Sequence, residues 1–527
     1  MKPRILLAPF VFFVAFVVQN HRGSAQQASP SINVVDLSVA DAQRRMAAGT
    51  LTSSALTRAY LNRIASIDDS GPQLNAVIDI NPAAIKEAEA RDAERRAGKA
   101  RGPLHGIPIL VKDNIDVAGM VNSAGSLALV DNVPRTDAFL VARLRDAGAV
   151  ILGRANLSEW ANFRGSKSTS GWSSRGGQTK NPYALDRNPC GSSSGSAAGV
   201  AASLAAVAIG TETNGSIICP ASVNGVVGLK PTVGLVSRSG IIPISASQDT
   251  AGPIGRTVAD VAALLGGMTG ADARDPAGRE AVGKAAAGYT AFLNPGALKG
   301  RRIGLLRQVL TSSDADVGKA MTAAVAAMRK AGATVVDVEL PDARTWSGAE
   351  MEVLLFEFKD GLNAYLASGP SGQKSLSMVI DWNRANAARA MPFFGQDLFE
   401  LAQAKGPLTE PAYLTARDTA RRLAGPEGLL ALLARERLDA VISPSTGPAW
   451  KIDYPRGDRG RVGGYGVAAV AGTPSITIPI GNSRGLPFGL TFMGAPFSEP
   501  QLIGFAYSLE QLTKARQPPR FPRTIDP

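Results

Sequence analysis

Three short stretches of this sequence hold residues that could move protons and stabilise negative charge. The first is Cys190-Gly191-Ser192-Ser193-Ser194-Gly195-Ser196-Ala197-Ala198-Gly199, small residues followed by an apolar, helical run from Val200 to Leu204. Small residues opening a helix suit a buried loop whose backbone approaches a ligand closely. The second is Gly210-Thr211-Glu212-Thr213-Asn214-Gly215-Ser216-Ile217, in which a glycine precedes a serine. That order lets successive N–H groups converge on one oxygen, as an oxyanion hole requires. The third is Val111-Lys112-Asp113-Asn114, where a lysine ends an apolar run. Each has an ordinary reading as well: a flexible linker, a surface turn and a solvated strand end.

The supply of bases narrows the chemistry. A serine hydroxyl attacks a carbonyl only when a base takes its proton. The chain has two histidines, His21 and His105, and His21 falls in an N-terminal leader. Gly191 to Gly195 matches the Gly-x-Ser-x-Gly spelling around Ser193, but a nucleophile elbow needs a strand just before it. Asn181 to Pro189 has no strand pattern. His105 lies in the turn before the Lys112 run, and we expect it to be structural or at a cleft edge rather than the base of a Ser-His-Asp triad. One histidine and two separated cysteines cannot supply a catalytic zinc set, so no metal is expected. The Walker spacing of a phosphate loop is absent, and no cofactor is expected.

The elements that must hold these stretches alternate. Helical patterning begins near Ser38, and residues 52–67 carry Leu56, Tyr60, Leu61, Ile64 and Ile67 at helical spacing behind a Thr52 or Ser53 cap. A third helix is expected from Asn81-Pro82 to about Arg96. Residues 106–112, 150–153 and 205–210 read as buried strands, with a helix over 138–147. Later strands are expected at 301–306, 438–444 and 475–480, with a closing helix over 501–515. Residues 271–300 read as a surface excursion, and 316–440 as mostly helical. Strands alternating with helices indicate an α/β layer fold.

Composition is that of a globular protein: 527 residues, 45% apolar and 19% charged, enough to bury a large core. The net charge of +12 is scattered among acidic residues with no basic run interleaved with aromatics, so no nucleic-acid partner is expected. The first 25 residues read as a signal peptide, with Lys2 and Arg4, an apolar run from Ile5 to Val18, and Gly23-Ser24-Ala25 for cleavage. The run is short for a span that needs about 20 residues. We therefore expect an exported, periplasmic or secreted protein with no stable membrane insertion after cleavage. Residues 26–527 are expected to form a single domain. Cys190 and Cys219 flank the two serine loops, and free buried thiols are favoured over a disulfide between them.

Taken together in order and spacing, these segments resemble the amidase signature family. The matching stretches are Gly102 to Asn114, Cys190 to Ala198, Gly210 to Pro220, Gly225 to Thr232, Gln248 to Pro253, Ala471 to Pro474 and Gly485 to Leu490. Ser166 to Asn181 and Thr211-Glu212-Thr213 look closest to the bacterial peptide amidase branch. The resemblance covers nearly the whole chain after the leader and is loosest over about 271–440, the expected helical, substrate-shaping region. It implies the amidase signature fold, a mixed central β-sheet covered by helices on both faces. It implies Ser216 as nucleophile, Ser192 as bridging serine after a cis Gly191-Ser192 peptide, and Lys112 as base. The oxyanion hole would be the N–H groups of Thr213, Asn214, Gly215 and Ser216. Lysine is a base only if uncharged, and its reference pKa of about 10.4 must fall by burial, which the preceding Ile109-Leu110-Val111 would provide.

The implied activity is hydrolysis of carboxamides, C-terminal peptide amides among them, through an acyl-enzyme with release of ammonia or an amine. The partner would be a small-molecule or peptide amide. Asn214 stands where the family often has Gly or Asp, and Ile218 where it often has Arg, which argues against a substrate carboxylate there. Two alternatives remain: an amidotransferase-like subunit drawing ammonia from glutamine or asparagine, and an exported amide-binding protein without turnover. The stretch Met351 to Leu366 and the loop 456–466 are expected to shape the cleft.

Overall fold

The computed structural model describes residues 32–311, 314–458 and 463–526. The leader expectation lies outside the described residues. Asn33–Pro527 form one compact unit. Among the described residues its strands are β1 (Val77–Ile80), β2 (Pro108–Lys112), β3 (Val150–Ala155), β4 (Trp172–Ser173), β5 (Gly177–Gln178), β6 (Val207–Glu212), β7 (Val227–Lys230), β8 (Thr250–Gly255), β9 (Arg302–Leu306), β10 (Thr334–Val338), β11 (Ala440–Pro444), β12 (Ser475–Ser483) and β13 (Leu486–Met493). Strands β4 and β5 pair with each other. The other eleven form one sheet in the order β1-β3-β2-β6-β8-β7-β12-β13-β11-β9-β10.

Pairing is mixed. β2 runs parallel to β3 and β6, and β11 and β10 run parallel to β9. β8 is antiparallel to β6 and β7, and β12 is antiparallel to β7 and β13. The central strands are continuous buried runs, as strands covered on both faces should be. Helices Val39–Ala47 and Ser53–Arg63 begin at Ser38 and Thr52, whose side chains accept from N–H groups of the first turn. No helix among the described residues is long and apolar enough to cross a membrane.

Several sheet strands escaped the patterns above. β7 and β8 carry glycines, and β8 a proline, that weaken a strand signal. β13 contains Pro487 and Gly489. β10 interrupts the stretch expected to be helical, and β1 is only four residues long.

Candidate active site

Parallel register brings two of the three sequence stretches together. Val111 of β2 lies opposite Ile209 of β6, so Lys112 and Thr211 emerge at the same end of the sheet. Open α/β sheets bind ligands at the carboxyl ends of their strands. Successive residues point to opposite sides at that end. Lys112 turns into the site, while Asp113 pairs with the buried Arg154.

The third stretch enters at the start of the helix Ser194–Ala201. Ser196 donates to the Ile209 carbonyl of β6 at 2.9 Å, and the Ser193 N–H donates to the Ser216 carbonyl at 3.1 Å. The two serine loops are thus tied together through backbone. Gly210 permits that approach, since a Cβ there would meet Ser193 Oγ at 2.7 Å. The Gly191-Ser192 peptide is cis.

Lys112 is fully buried, and its Nζ has four oxygen neighbours. They are Ser192 Oγ and Thr211 Oγ1 at 2.8 Å, Ser193 Oγ at 3.0 Å and the Thr211 carbonyl at 3.2 Å. Burial drives the ammonium down to about 7, against the opposing pull of Asp249 and Glu212. The network orients the uncharged amine. The Ser193 hydroxyl donates to the Thr211 carbonyl at 3.0 Å, so toward Lys112 it can only accept. Thr211 Oγ1 accepts from Asn114 Nδ2 at 3.0 Å and can accept again. The amine is thus within hydrogen-bond reach of Ser192 while Ser193 and Thr211 hold it from the other sides.

Ser216 stands after Gly215, whose φ of 81° only glycine adopts readily. A Cβ on Gly215 would strike the Tyr465 ring. Glu212 holds the far side of the turn, its Oε2 accepting the N–H of Ile217 at 2.8 Å and of Ile218 at 3.0 Å. The near side is held by Asp249, which accepts the Thr213 hydroxyl at 2.5 Å, and by Gln248, which donates to the Thr213 carbonyl at 3.2 Å. Ser216 and Gly191 line a cavity of about 170 Å³. Its apolar walls include Phe163, Met351, Leu354 and Leu398, and Asn162, Thr213 and Asn214 add polar groups.

The helix Arg344–Ser368 forms one wall and also braces the polar loops. Glu350 accepts from Asn214 Nδ2 at 2.7 Å and from Gln248 Nε2 at 3.0 Å. Two turns on, Glu357 accepts from the Ser245 and Ser247 hydroxyls, both at 2.5 Å, and from Tyr413 at 2.7 Å. Seven residues apart, the two glutamates share one helix face. Burial pushes the Glu350 carboxyl up, and its two amide donors pull it down.

The structure therefore joins Lys112 to Ser192 directly and Ser216 to the Ser193 backbone. It places Thr213, Asn214 and Gly215 in the turn that leads to Ser216. His105 is fully buried away from this site, its Nε2 2.9 Å from the Arg91 carbonyl, which makes it structural. Among the described residues no group of three or more His, Cys, Asp or Glu could hold a metal. The cysteine expectation is corrected: Cys190 and Cys219 form a disulfide, with Cα atoms 6.0 Å apart. The loops that bring the serines together bring both sulfurs within bonding reach. Met351 lines the cleft as expected. Of the loop 456–466, residues 459–462 lie outside the described residues, and Tyr465 packs on the Gly215 turn.

Sequence reasoning missed Glu350, Asp249 and the bracing role of Glu212. Buried acids far apart in the chain leave no local pattern. Glu212 alone offered a signal, as an acidic residue at the end of an apolar strand.

Comparison with known proteins places this geometry. The amidase family model matches residues 55–503. A probable amidase of Arabidopsis thaliana is 40% identical over 95% of this chain and 94% of its own. A glutamyl-tRNA(Gln) amidotransferase subunit of Halorhodospira halophila is 35% identical over 90% of this chain and 97% of its own. Native peptide amidase from Stenotrophomonas maltophilia superposes with a TM-score of 0.89 at 56% identity, covering 92% of this chain and 99% of that one.

Proposed function

Because the chain belongs to the amidase signature family, hydrolases of the carbon–nitrogen bond of amides, we propose that it hydrolyses carboxamides, C-terminal peptide amides first among them, through an acyl-enzyme on Ser216. One observation carries this reading: a buried lysine, its ammonium driven down to about 7 by burial, with its amine 2.8 Å from Ser192 Oγ. The peptide-amide preference is supported by the likeness to peptide amidase and by the apolar walls of the cavity beside Ser216.

In the proposed reaction, neutral Lys112 takes the Ser192 proton while Ser192 takes that of Ser216. The Ser216 oxygen bonds to the carbonyl carbon, and the N–H groups of residues 213–216 receive the developing oxyanion. Collapse breaks the carbon–nitrogen bond, and the proton held by Lys112 returns through Ser192 to the departing nitrogen. Water then attacks the ester, loses its proton along the same relay and releases the acid. The brace from Glu212 keeps the turn in place throughout, because the N–H groups of Ile217 and Ile218 are already engaged.

The same proposal places the mature protein outside the cytoplasm. The leader composition supports it, and so does the Cys190–Cys219 disulfide, a bond that persists in oxidising compartments.

Purified protein should release ammonia from a C-terminal peptide amide faster than from aryl or aliphatic amides, and a fluorophosphonate probe should label Ser216. Labelling mapped to another serine, or no ammonia from any amide, would sink the reading. Protein recovered from outside the cytoplasm should begin near Gln26; an intact Met1 there would remove the cleavage claim, and recovery from the cytoplasm alone would remove the export claim.

A further inference from the structure

Two loops carry the serines, and two ties join them. One is the hydrogen bond from the Ser193 N–H to the Ser216 carbonyl. The other is covalent, from Cys190 to Cys219. Residues 190–193 and 216–219 therefore close a ring, with a hydrogen bond at one end and a sulfur bridge at the other. Ser192 lies on one arm, between Cys190 and Ser193. Ser216 stands at the hydrogen-bonded corner of the other arm.

A single tie leaves a pivot. About the Ser193–Ser216 bond alone, the arm 190–193 could swing and carry Ser192 Oγ away from Ser216 while the backbone bond survived. The bridge anchors that arm on the far side of Ser192 and blocks the rotation. Ser192 must also stay within reach of Lys112 Nζ, 2.8 Å from its Oγ. A relay through one hydroxyl between two partners tolerates little slack, and a misplacement of about 1 Å can cost about 100-fold.

The bridge is set firmly into these loops. Both cysteines are fully buried. Cys190 has a φ of 55°, a conformation its surroundings must impose. Its N–H donates to Asn188 Oδ1 at 2.8 Å, and its carbonyl accepts the Ser194 hydroxyl at 2.6 Å. The Cys219 N–H donates to the Gly215 carbonyl at 2.9 Å, so this sulfur is anchored on the nucleophile turn itself. Outside the ring the same segments are joined without sulfur. Asn224 Nδ2 donates to the Pro189 and Pro220 carbonyls, both at 2.8 Å, and Asn181 Nδ2 to the Val223 carbonyl at 2.9 Å. These bonds hold the helix Ile218–Val223 against residues 181–189, so the fold can stand without the bridge.

We propose that the Cys190–Cys219 bridge is a positioning element of the reaction: it fixes Ser192 relative to Ser216, and without it the proton relay fails in a chain that still folds. The inference rests on the proposed acyl-enzyme chemistry and deepens it. The step most exposed to slack is the return of the proton from Ser192 to the departing nitrogen. An amide nitrogen leaves only with that proton, whereas p-nitrophenolate leaves without one.

The test compares N-acetyl-leucinamide with the p-nitrophenyl ester of N-acetyl-leucine, which share one acyl group. In the double variant Cys190→Ala/Cys219→Ala, kcat/KM should fall about 100-fold for the amide and less than about tenfold for the ester. The amide-to-ester ratio then drops at least about tenfold, a change that neither a lower folded fraction nor a general loss of stability produces. Wild type folded with dithiothreitol present, both thiols verified by alkylation and mass, should show the same drop, and it serves if the variant does not fold. An unchanged ratio overturns the positioning role and leaves the amidase reading intact. A chain that folds in neither form makes the bridge a folding staple, which overturns the role too. No hydrolysis of the amide by oxidised wild type defeats the amidase reading itself, and the inference with it.

Discussion

The two sides of the cleft are built on opposite rules. The side formed by residues 108–255 is made of strands and short loops, and it buries polar groups on purpose. Lys112, Ser192, Ser193 and Glu212 are all nearly inaccessible; Lys112 bonds to both serines, and Glu212 accepts from the Ile217 and Ile218 N–H groups. The side formed by the helix Arg344–Ser368 and by Leu398 offers mainly hydrocarbon, with Met351 still 41% exposed. On the first side the lysine and the serines hold specific partners, so a change removes a function. On the second, side chains fill space, so a change reshapes preference.

Three measurements would break or sharpen that contrast. Ser216→Ala should lose about 10⁴-fold or more in kcat with the fold retained, in line with removal of a nucleophile elsewhere, and Lys112→Met nearly as much. A loss under tenfold in either would put these residues outside the chemistry.

Next in size is the dependence on pH. Lys112 acts only when uncharged, and burial sets its pKa at about 7. The acid limb of kcat/KM should therefore fall about tenfold per pH unit below that value, reaching about 100-fold near pH 5. A flat profile from pH 5 to 8 would contradict it. Stability has its own sign. Between about 7 and the reference value of about 10.4, the unfolded chain binds a proton at Lys112 that the folded one does not. The fold accordingly gains stability as pH rises through that window, and below it the full cost of the buried amine is present. Lys112→Met should reduce this slope, leaving the part that buried Lys230 contributes above about 8, and be the more stable protein at pH 6, by urea unfolding.

Smallest is the effect on the apolar side. Met351→Ala should lower kcat/KM for a leucinamide by less than about tenfold, mostly through KM, because it trims uniform binding surface. A change in kcat as large as that of Lys112→Met would erase the distinction between the two sides.

The same contrast explains what could be read in advance. The loops around Ser192 and Ser216 stood out because glycines and serines at fixed spacing are unusual in an apolar setting, and the roles expected of Lys112, Ser192 and Ser216 came from the family resemblance. The helix starts at Ser38 and Thr52 were visible because caps are local. Glu350 and Asp249 were not, since their partners lie 136 and 36 residues away, at Asn214 and Thr213. Strands β7 and β8 were hidden by the glycines and proline that the close packing of the sheet tolerates there. The disulfide required knowing the distance between two loops, which spacing of 29 residues does not reveal.

The strand order carries one further consequence. β1, β3, β2, β6, β8 and β7 lie side by side and are all complete by residue 255, whereas β12, β13, β11, β9 and β10 all come after residue 301. The two half-sheets meet through only three facing residue pairs, Lys230 with Ser475, Leu229 with Ile476 and Gly228 with Thr477. During synthesis, which proceeds from the N-terminus, the lysine and both serines are available to assemble before the helix that walls the cleft has been made. The lysine and both serines therefore come from the early half of the chain, and the helix that walls the cleft comes from the late half, tied back to it through Glu350 and Glu357.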